Sequence, residues 1–355
     1  MPDYQIHEVN DRKALLEFVR FPDELYRDCP QYVPALHSDQ VKSLTRVAPL
    51  DYCTHKLWLV RDGDRVAGRI CAMVNPRYNE RYGRKRARFG WFDCIEDLEV
   101  ARLLLGTAEA WAREQGMLVE GYENIPPFNC LYNFPYYNDF VQALGYGKEC
   151  DWLQYKMVAN HGVPDKARRV SKLVQERYNL HFGSIARLKK DKALVRKFFQ
   201  VYNDSFAESV MNFVPLTDKE IDEEAASVMP FITDKASCLL LDGNDEIVAF
   251  GISFPSISRA LQKAKGSLFP FGWWHLLRAM RNYEVTDLMV NGAAPEWQNK
   301  GVSAVYYEKM ADKAKVIGNR WAISNPQRES NSAVNIWNSY EHEPFMRRRC
   351  YLKKI

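Results

Sequence analysis

The chain has 355 residues, of which 46% are hydrophobic and 26% are charged, and its formal net charge is +4. This composition excludes a disordered polypeptide, and the charge is too small to argue for nucleic-acid binding. The length exceeds what most single cores require and therefore favours two domains of ordinary size.

The first half contains the pattern of a helix, a hairpin, a strand and a second helix. An amphipathic helix is predicted over residues 11–26. Residues 57–70, "LWLVRDGDRVAGRI", predict two apolar strands joined by an Asp-Gly turn, which is a strong hairpin signal. A strand follows at 88–94, and a helix is predicted over 99–116, where Gly116 would end it.

The second half repeats this order. A helix is predicted over 191–206, and residues 238–252 predict another hairpin around an Asp-Gly turn. A strand follows at 286–294 and a helix at 301–318, again ending in glycine. Two series this similar indicate a duplicated domain.

The boundary between the two copies is predicted at 159–169, which is polar and contains glycine and proline. We therefore expect one domain over 1–160 and a second over 170–355. In each copy antiparallel strands precede a strand–helix unit. This order predicts an α/β fold of the α+β kind, with a mixed sheet and helices on both faces.

The two halves differ where the last strand meets its helix. The second half has "PEWQNKGVS" at 295–303, whereas the first half has an acidic stretch at 96–99. A helix start exposes unpaired N–H groups and the positive end of the dipole, which favours a phosphate. Gly301 would leave room for the anion, Lys300 would add charge and Ser303 a hydroxyl. The acidic stretch would repel the same ligand.

A step from strand through glycine to helix also occurs in proteins that bind nothing, so this junction alone does not decide the function. The strand at 286–294 ends in small residues, Gly292, Ala293 and Ala294. Small side chains would leave the backbone open to a ligand lying alongside the strand.

The segment "PEWQNKGVS" resembles the Gln/Arg-x-x-Gly-x-Gly/Ala motif of the GCN5-related N-acetyltransferase (GNAT) superfamily, although the last position is Ser303. The resemblance covers residues 175–355, with a degenerate copy over about 1–158, and implies tandem GNAT domains. In that superfamily the backbone amides of the motif bind the pyrophosphate of coenzyme A. The resemblance therefore implies a site for coenzyme A or acyl-CoA formed by Val290, Gln298, Asn299, Lys300, Gly301, Val302, Ser303 and Asn331.

The resemblance implies acyl transfer to an amine, which needs a base because an ammonium group cannot attack a thioester. A carboxylate on the motif strand is expected in that role. Asp287 is the first candidate and Glu284 the second, although both also fit ordinary charges at a strand end. A backbone N–H near Val290 or Asn291 would polarise the thioester oxygen.

The general acid is less well defined by the sequence. A helix is predicted over 329–340, and in the superfamily this helix often carries an asparagine near its start and a tyrosine that protonates the leaving thiolate. Asn331 fits the first role. Trp337 stands at the usual tyrosine position, and Tyr340 lies one turn further on. Tyr340 is therefore the candidate acid, and a packed aromatic residue is an equally good interpretation.

Stretches along both halves, such as "LWLVRDGDRVAGRICAMVN" and "RRRCYLKKI", are similar to a bacterial subgroup of tandem GNAT proteins related to bacterial ceramide synthases. This resemblance implies transfer of a fatty acyl group from acyl-CoA to the amine of a sphingoid base or a similar lipid amine. Three alternatives remain open: a small-amine N-acetyltransferase, an aminoacyl transferase, and a non-catalytic GNAT-fold binding protein.

The subgroup would have a further strand and loop after Gly116, whereas "EQGMLVEGY" at 114–122 runs straight on. Either the first half lacks its fifth strand, or residues present in the subgroup are absent here.

The aromatic stretch "GSLFPFGWWHLL" at 266–277 fits a buried core, a greasy cleft or a membrane interface. The basic clusters at 81–88 and 347–349 fit either phosphate contacts or a solvated surface. The eight cysteines form no CxxC pair, so we expect a reducing compartment and no metal site. The expected location is cytoplasmic, with peripheral contact at the inner face of the membrane as one option.

Overall fold

The computed structural model describes residues 2–84, 86–111, 115–120, 125–127, 130, 132–207, 213–331 and 340–353. The chain forms two compact units. The first comprises Met1–Leu153, Ile257–Leu276 and Met346–Ile355, and the second comprises Gln154–Ser256 and Leu277–Phe345.

The strands, in chain order, are β1 (Tyr4–Glu8), β2 (Thr54–Asp62), β3 (Arg65–Val74), β4 (Arg88–Cys94), β5 (Gln115–Glu120), β6 (Gly147–Val158), β7 (His181–Gly183), β8 (Cys238–Leu241), β9 (Ile247–Pro255), β10 (Val285–Ala293), β11 (Trp321–Ile323), β12 (Gln327–Arg328) and β13 (His342–Leu352). The α-helices are α1 (Arg12–Leu25), α2 (His37–Thr45), α3 (Pro76–Tyr82), α4 (Leu98–Trp111), α5 (Tyr136–Ala143), α6 (Asp165–Tyr178), α7 (Ile185–Lys190), α8 (Lys192–Ala207), α9 (Asp218–Val228), α10 (Ser258–Ala264), α11 (Gly272–Ala279) and α12 (Val302–Ile317).

In the first unit, β1 to β4 form an antiparallel sheet in chain order. The hairpin predicted over 57–70 is confirmed as β2 and β3, and the strand predicted over 88–94 is confirmed as β4. The side chains of Val60, Ile70 and Leu104 are buried together, so helix α4 packs on this sheet.

The prediction that the fourth helix runs to Gly116 is wrong, because Gly116 lies in strand β5. This strand pairs antiparallel with β13, where Gly116 stands opposite Cys350. The first half therefore has a fifth strand, which the sequence left open. Its hydrogen-bonding partner is more than two hundred residues away in the chain, so no local pattern could indicate it.

In the second unit, the hairpin predicted over 238–252 is confirmed as β8 and β9. Strand β10 runs antiparallel to β9 and parallel to β11, as the predicted mixed sheet requires. One face buries Phe198 of α8 against Phe250, and the other buries Val305 of α12 against Val248. Residues 248 and 250 face opposite ways because side chains alternate along a strand. Helices therefore cover both faces of this sheet.

Helix α12 starts and ends at glycines in the left-handed region, Gly301 with φ +81° and Gly318 with φ +70°. Gly318 closes the helix with backbone hydrogen bonds to Ala314 and Lys315, which is the usual role of glycine after a helix. The predicted helix over 301–318 is thus confirmed. Residues 332–339 of the helix predicted over 329–340 lie outside the described residues.

Candidate functional site

Strands β10 and β11 separate at Asp287. Their parallel pairing covers three positions and ends where Asp287 stands opposite Ile323. Strand β10 continues along β9 as far as Ala293, with a bulge between Leu288 and Val290. Beyond Asp287, β11 therefore no longer lies beside β10, and this edge of β10 is not covered by β11. Such a gap between diverging parallel strands can admit an extended ligand.

The bulge is held by an asparagine that the sequence analysis did not single out. Asn325 Nδ2 donates a hydrogen bond to the Met289 carbonyl oxygen at 2.6 Å. Asn325 follows β11, so its amide spans the two strands just past the point where their pairing ends. No sequence motif marks this residue, because its role depends on the divergence of the strands.

The junction between β10 and α12 leaves several amides available. The backbone N–H groups of Gly301, Val302 and Ser303 donate to no acceptor among the described residues, and the next donor, Ala304 N–H, bonds to the Gly301 oxygen. Glycine at the N-cap position supplies no side-chain acceptor either. Three N–H donors and the positive end of a 16-residue helix therefore point into the same region, which favours an anion.

The side chain of Gln298 forms hydrogen bonds within the protein. Its Nε2 donates to the carbonyl oxygens of Ala293, at 3.2 Å, and of Ser205, at 3.3 Å. Ser205 Oγ also donates to the Ala293 oxygen, at 2.8 Å. Gln298 therefore ties the end of β10 to α8 and fixes the junction in place.

The packing of α8 explains why the residue at position 292 is glycine, and this reason differs from the predicted access for a ligand. A Cβ added to Gly292 would lie 3.0 Å from a carbon of Phe250 and 3.1 Å from Ser205. Glycine is therefore needed at this position because α8 approaches closely. It does not open the strand to a ligand on that side.

The structure gives a further reason for glycine at position 301. Its φ of +81° is a conformation that other residues adopt only with strain. A Cβ at this position would lie 3.1 Å from Val174 Cγ2 of helix α6. Glycine is therefore required by the backbone turn and by the packing of α6, independently of any ligand.

Lys300 and Asn299 are exposed at the start of α12. Lys300 Nζ lies 4.9 Å from the centre of the Trp297 ring and 5.7 Å from that of the Tyr178 ring. Cation–π attraction at these distances holds the ammonium group near the two rings. The lysine adds positive charge to the region in which the three N–H groups lie.

At the equivalent junction of the first half, a carboxylate of the chain already accepts a hydrogen bond from the helix start. Asp97 Oδ1 accepts a hydrogen bond from the backbone N–H of Glu99 at 2.8 Å, and Asp97 Oδ2 accepts one from the Tyr4 hydroxyl. The start of α4 thus carries a carboxylate of its own chain. This carboxylate would repel an anion.

Asp287 is a buried acid without a compensating partner. Its side chain is 1% exposed, and neither carboxylate oxygen makes a hydrogen bond of good geometry within the described residues. Burial raises the pKa of Asp287 to about 7, and the nearby Ser256 hydroxyl opposes this only in part. The other candidate, Glu284, is exposed, and one of its oxygens lies 3.4 Å from Arg320 Nη1.

Tyr340 lies on the face of the sheet that α12 covers. With Leu288 and Tyr307 it lines a mostly apolar cavity of about 70 Å³, and its ring centre is 6.3 Å from that of Tyr307. Burial is the main cause that raises the pKa of Tyr340 to about 12, so the phenol is protonated at neutral pH.

The structure places the two candidate catalytic residues on opposite faces of β10. Thr286 and Leu288 line the cavity with Tyr340, and side chains alternate along this regular part of the strand. Asp287 therefore points the other way. Asn331 is exposed, and its backbone N–H donates to the Arg328 oxygen. Trp337 lies outside the described residues.

The basic clusters are partly engaged in ion pairs. Arg349 donates two hydrogen bonds to Asp151, at 2.8 and 3.0 Å, and Arg347 lies 3.6 Å from the same carboxylate. Arg86 lies 3.0 Å from Glu149. These residues stabilise the first unit, so they are not simply solvated.

No family model matches the chain. The sequence is 26% identical over 379 aligned positions to Protein YghO of Escherichia coli K12, across 98% of this chain and 93% of that protein. It is 26% identical over 299 positions to a protein named bacterial ceramide synthase from Caulobacter vibrioides, across 78% of this chain and 76% of that one.

Solved structures show the fold. A tandem GNAT protein from the clavulanic acid biosynthesis pathway superposes with a TM-score of 0.57 at 12% identity, across 98% of both chains. A GCN5-related N-acetyltransferase from Sphaerobacter thermophilus gives 0.54 at 11% identity, across 99% of this chain and 96% of that one. A fungal protein with a glucosamine N-acetyltransferase region gives 0.59 at 11% identity, across 99% of this chain but 38% of that longer one. The chain therefore has the tandem GNAT fold, a mixed α/β architecture that extends over nearly its whole length.

Proposed function

We propose that the protein is an acyl-CoA-dependent N-acyltransferase that transfers a fatty acyl group to the amine of a sphingoid base or a similar lipid amine. The observation that carries this proposal is the set of open amides of Gly301, Val302 and Ser303, which lie where β10 meets α12. These residues belong to the segment that resembles the coenzyme A motif of the GNAT superfamily, which supports the proposal.

In this proposal the domain over 170–355 binds acyl-CoA. The diphosphate accepts hydrogen bonds from the three amides, and Lys300 adds charge. The rest of the cofactor arm extends along β10 from Val290, where the strand has parted from β11. The domain over 1–160 is a degenerate copy without this site, because Asp97 already occupies its helix start.

Asp287 is the proposed general base. A carboxyl group with a pKa of about 7 is partly ionised at neutral pH and can accept a proton from an ammonium group. The freed amine attacks the thioester carbon, a C–N bond forms and the nitrogen releases its second proton to solvent. The C–S bond then breaks, and coenzyme A leaves as the thiolate. Tyr340 is the proposed donor to that thiolate from the opposite face of β10. Its pKa of about 12 means that the phenol holds its proton at neutral pH, and the phenolate left by the transfer regains a proton from solvent.

The lipid acceptor is supported by the name of a relative, bacterial ceramide synthase, which matches 78% of this chain. We propose a cytoplasmic enzyme that meets its acceptor at the inner face of the membrane. A small-amine N-acetyltransferase is the second candidate, since two of the structural neighbours are described as N-acetyltransferases.

Calorimetric titration with acetyl-CoA and palmitoyl-CoA tests this proposal. We expect palmitoyl-CoA to bind at least about tenfold more tightly, because burial of only two methylene groups contributes about 1.6 kcal/mol. Equal affinities would favour the small-amine enzyme. No binding of either thioester would favour a non-catalytic protein. Mass spectrometry of the products formed from palmitoyl-CoA and a sphingoid base then tests the acceptor.

A further inference from the structure

The exposed apolar side chains are concentrated in one short segment. Ten large hydrophobic residues are exposed in the described part of the chain, and five of them fall within residues 268–274 of the first unit. Phe269 is 84% exposed and Phe271 is 70% exposed. The five residues are Leu268, Phe269, Phe271, Trp273 and Trp274. A cluster of this kind on a folded surface indicates a docking site.

Several polar groups of the segment form hydrogen bonds within it. The backbone N–H of Trp273 donates to the Leu268 oxygen at 3.0 Å, and its indole N–H donates to the Pro270 oxygen at 2.9 Å. Ser267 Oγ donates to the Phe269 oxygen. Polar groups that are already hydrogen-bonded lose little free energy when they leave water. These groups can therefore enter an apolar phase at a low cost in free energy.

The segment is held rigidly by the first unit at its N-terminal end. The Gly266 oxygen accepts a hydrogen bond from His37 N–H at 2.9 Å. Gln262 Nε2 donates to the carbonyl oxygens of Pro30 and Tyr32. The exposed aromatic residues therefore project from a fixed base.

The charge of the surrounding sequence has a single sign. Within the first unit, residues 257–276 contain no Asp or Glu but three Lys or Arg residues, all of which are exposed. None of the three takes part in an ion pair with another described residue. These residues are Arg259, Lys263 and Lys265.

We propose that residues 259–276 of the first unit dock on the surface of an anionic lipid bilayer. Exposed tryptophans favour the interfacial zone of a membrane, and basic residues beside them attract anionic headgroups. A second copy of the chain is the other candidate occupant. Two copies joined symmetrically through this surface would bring like charges together, which favours the bilayer. None of the helices in the described ranges has the length and apolar character to cross a bilayer, so the proposed contact is peripheral.

The test is co-sedimentation of the full chain with vesicles of phosphatidylcholine alone and with about one third phosphatidylglycerol. We expect binding to the anionic vesicles, weakened by salt, and little binding to the neutral ones. The triple variant Phe269→Ser, Phe271→Ser and Trp274→Ser should reduce the partition coefficient by about tenfold or more. The control variant Val316→Ser with Phe231→Ser removes exposed apolar groups elsewhere and should bind like the wild type.

A second pair of variants tests the charge. Lys263→Glu with Lys265→Glu should weaken binding to anionic vesicles, whereas the control Lys190→Glu with Lys192→Glu should change it far less. The proposal is overturned if the wild type does not bind anionic vesicles, or if the triple variant binds them as well as the wild type does. It is also overturned if the wild type is a dimer without lipid and the triple variant is a monomer. Coenzyme A titration of the triple variant separates this proposal from that of the acyl-CoA site, because that affinity should not change.

Discussion

Replacement of Asp287 by Asn is expected to lower the rate of acyl transfer by about two to four orders of magnitude, the usual contribution of a general base. The substitution keeps the shape of the side chain but removes its ability to accept a proton. In the wild type, kcat/KM should rise with pH and level off above about pH 7, because the pKa of Asp287 is about 7. The measurement is a pH–rate profile of both proteins.

The exposed Glu284 supplies the matched control, since Glu284→Gln should leave both the rate and the pH profile close to those of the wild type. An Asp287→Asn enzyme with the rate and the profile of the wild type would remove Asp287 from the mechanism.

The same substitution has a stability readout that does not depend on activity. Because the pKa of Asp287 is raised from 3.8 to about 7, the folded state binds this proton more tightly than the unfolded state. The group therefore destabilises the fold increasingly as pH rises from about 4 to about 7, by at most about 4 kcal/mol. In urea unfolding, the free energy of unfolding of Asp287→Asn should increase relative to that of the wild type over this pH interval. A difference between the two proteins that does not change with pH would contradict the burial argument.

Ser303→Asp is expected to weaken coenzyme A binding by about a hundredfold. A carboxylate about 5 Å from a phosphate at an effective dielectric constant of 20 costs about 3 kcal/mol. An acidic residue in the first turn of a helix is otherwise favourable, so the fold should tolerate the change. Calorimetry with coenzyme A measures the effect.

Ser303→Asn is the matched control, because it has the same size without the charge and should bind nearly as well as the wild type. Gly301→Glu would also block the site. Its interpretation is less direct, however, because Glu at φ +81° is strained and its Cβ would meet Val174. If the Asp and Asn variants at position 303 bind coenzyme A equally well, the diphosphate does not lie at this helix start.

Local signals predicted most of the fold. The Asp-Gly turns fixed both hairpins, and Gly318 marked the end of α12 because it closes the helix in a left-handed conformation. Strand β5 could not be predicted, since its backbone bonds come from β13 at the far end of the sequence. The helical pattern of 99–116 therefore ran past the true end of the helix.

The motif located the helix start, but it did not indicate the packing that its glycines satisfy. Gly292 is small because Ser205 of α8 approaches it, and Gly301 is fitted to Val174 of α6. Both contacts involve helices remote in sequence. Likewise, the assignment of Asp287 and Tyr340 to opposite faces of β10 required the register of the sheet.

A crystal structure of the protein with coenzyme A tests the central claim most directly. The diphosphate oxygens are predicted to lie about 3 Å from the backbone nitrogens of Gly301, Val302 and Ser303, with the arm of the cofactor beside β10. A complex in which coenzyme A binds elsewhere, while these three amides bind water or a protein side chain, would contradict the account.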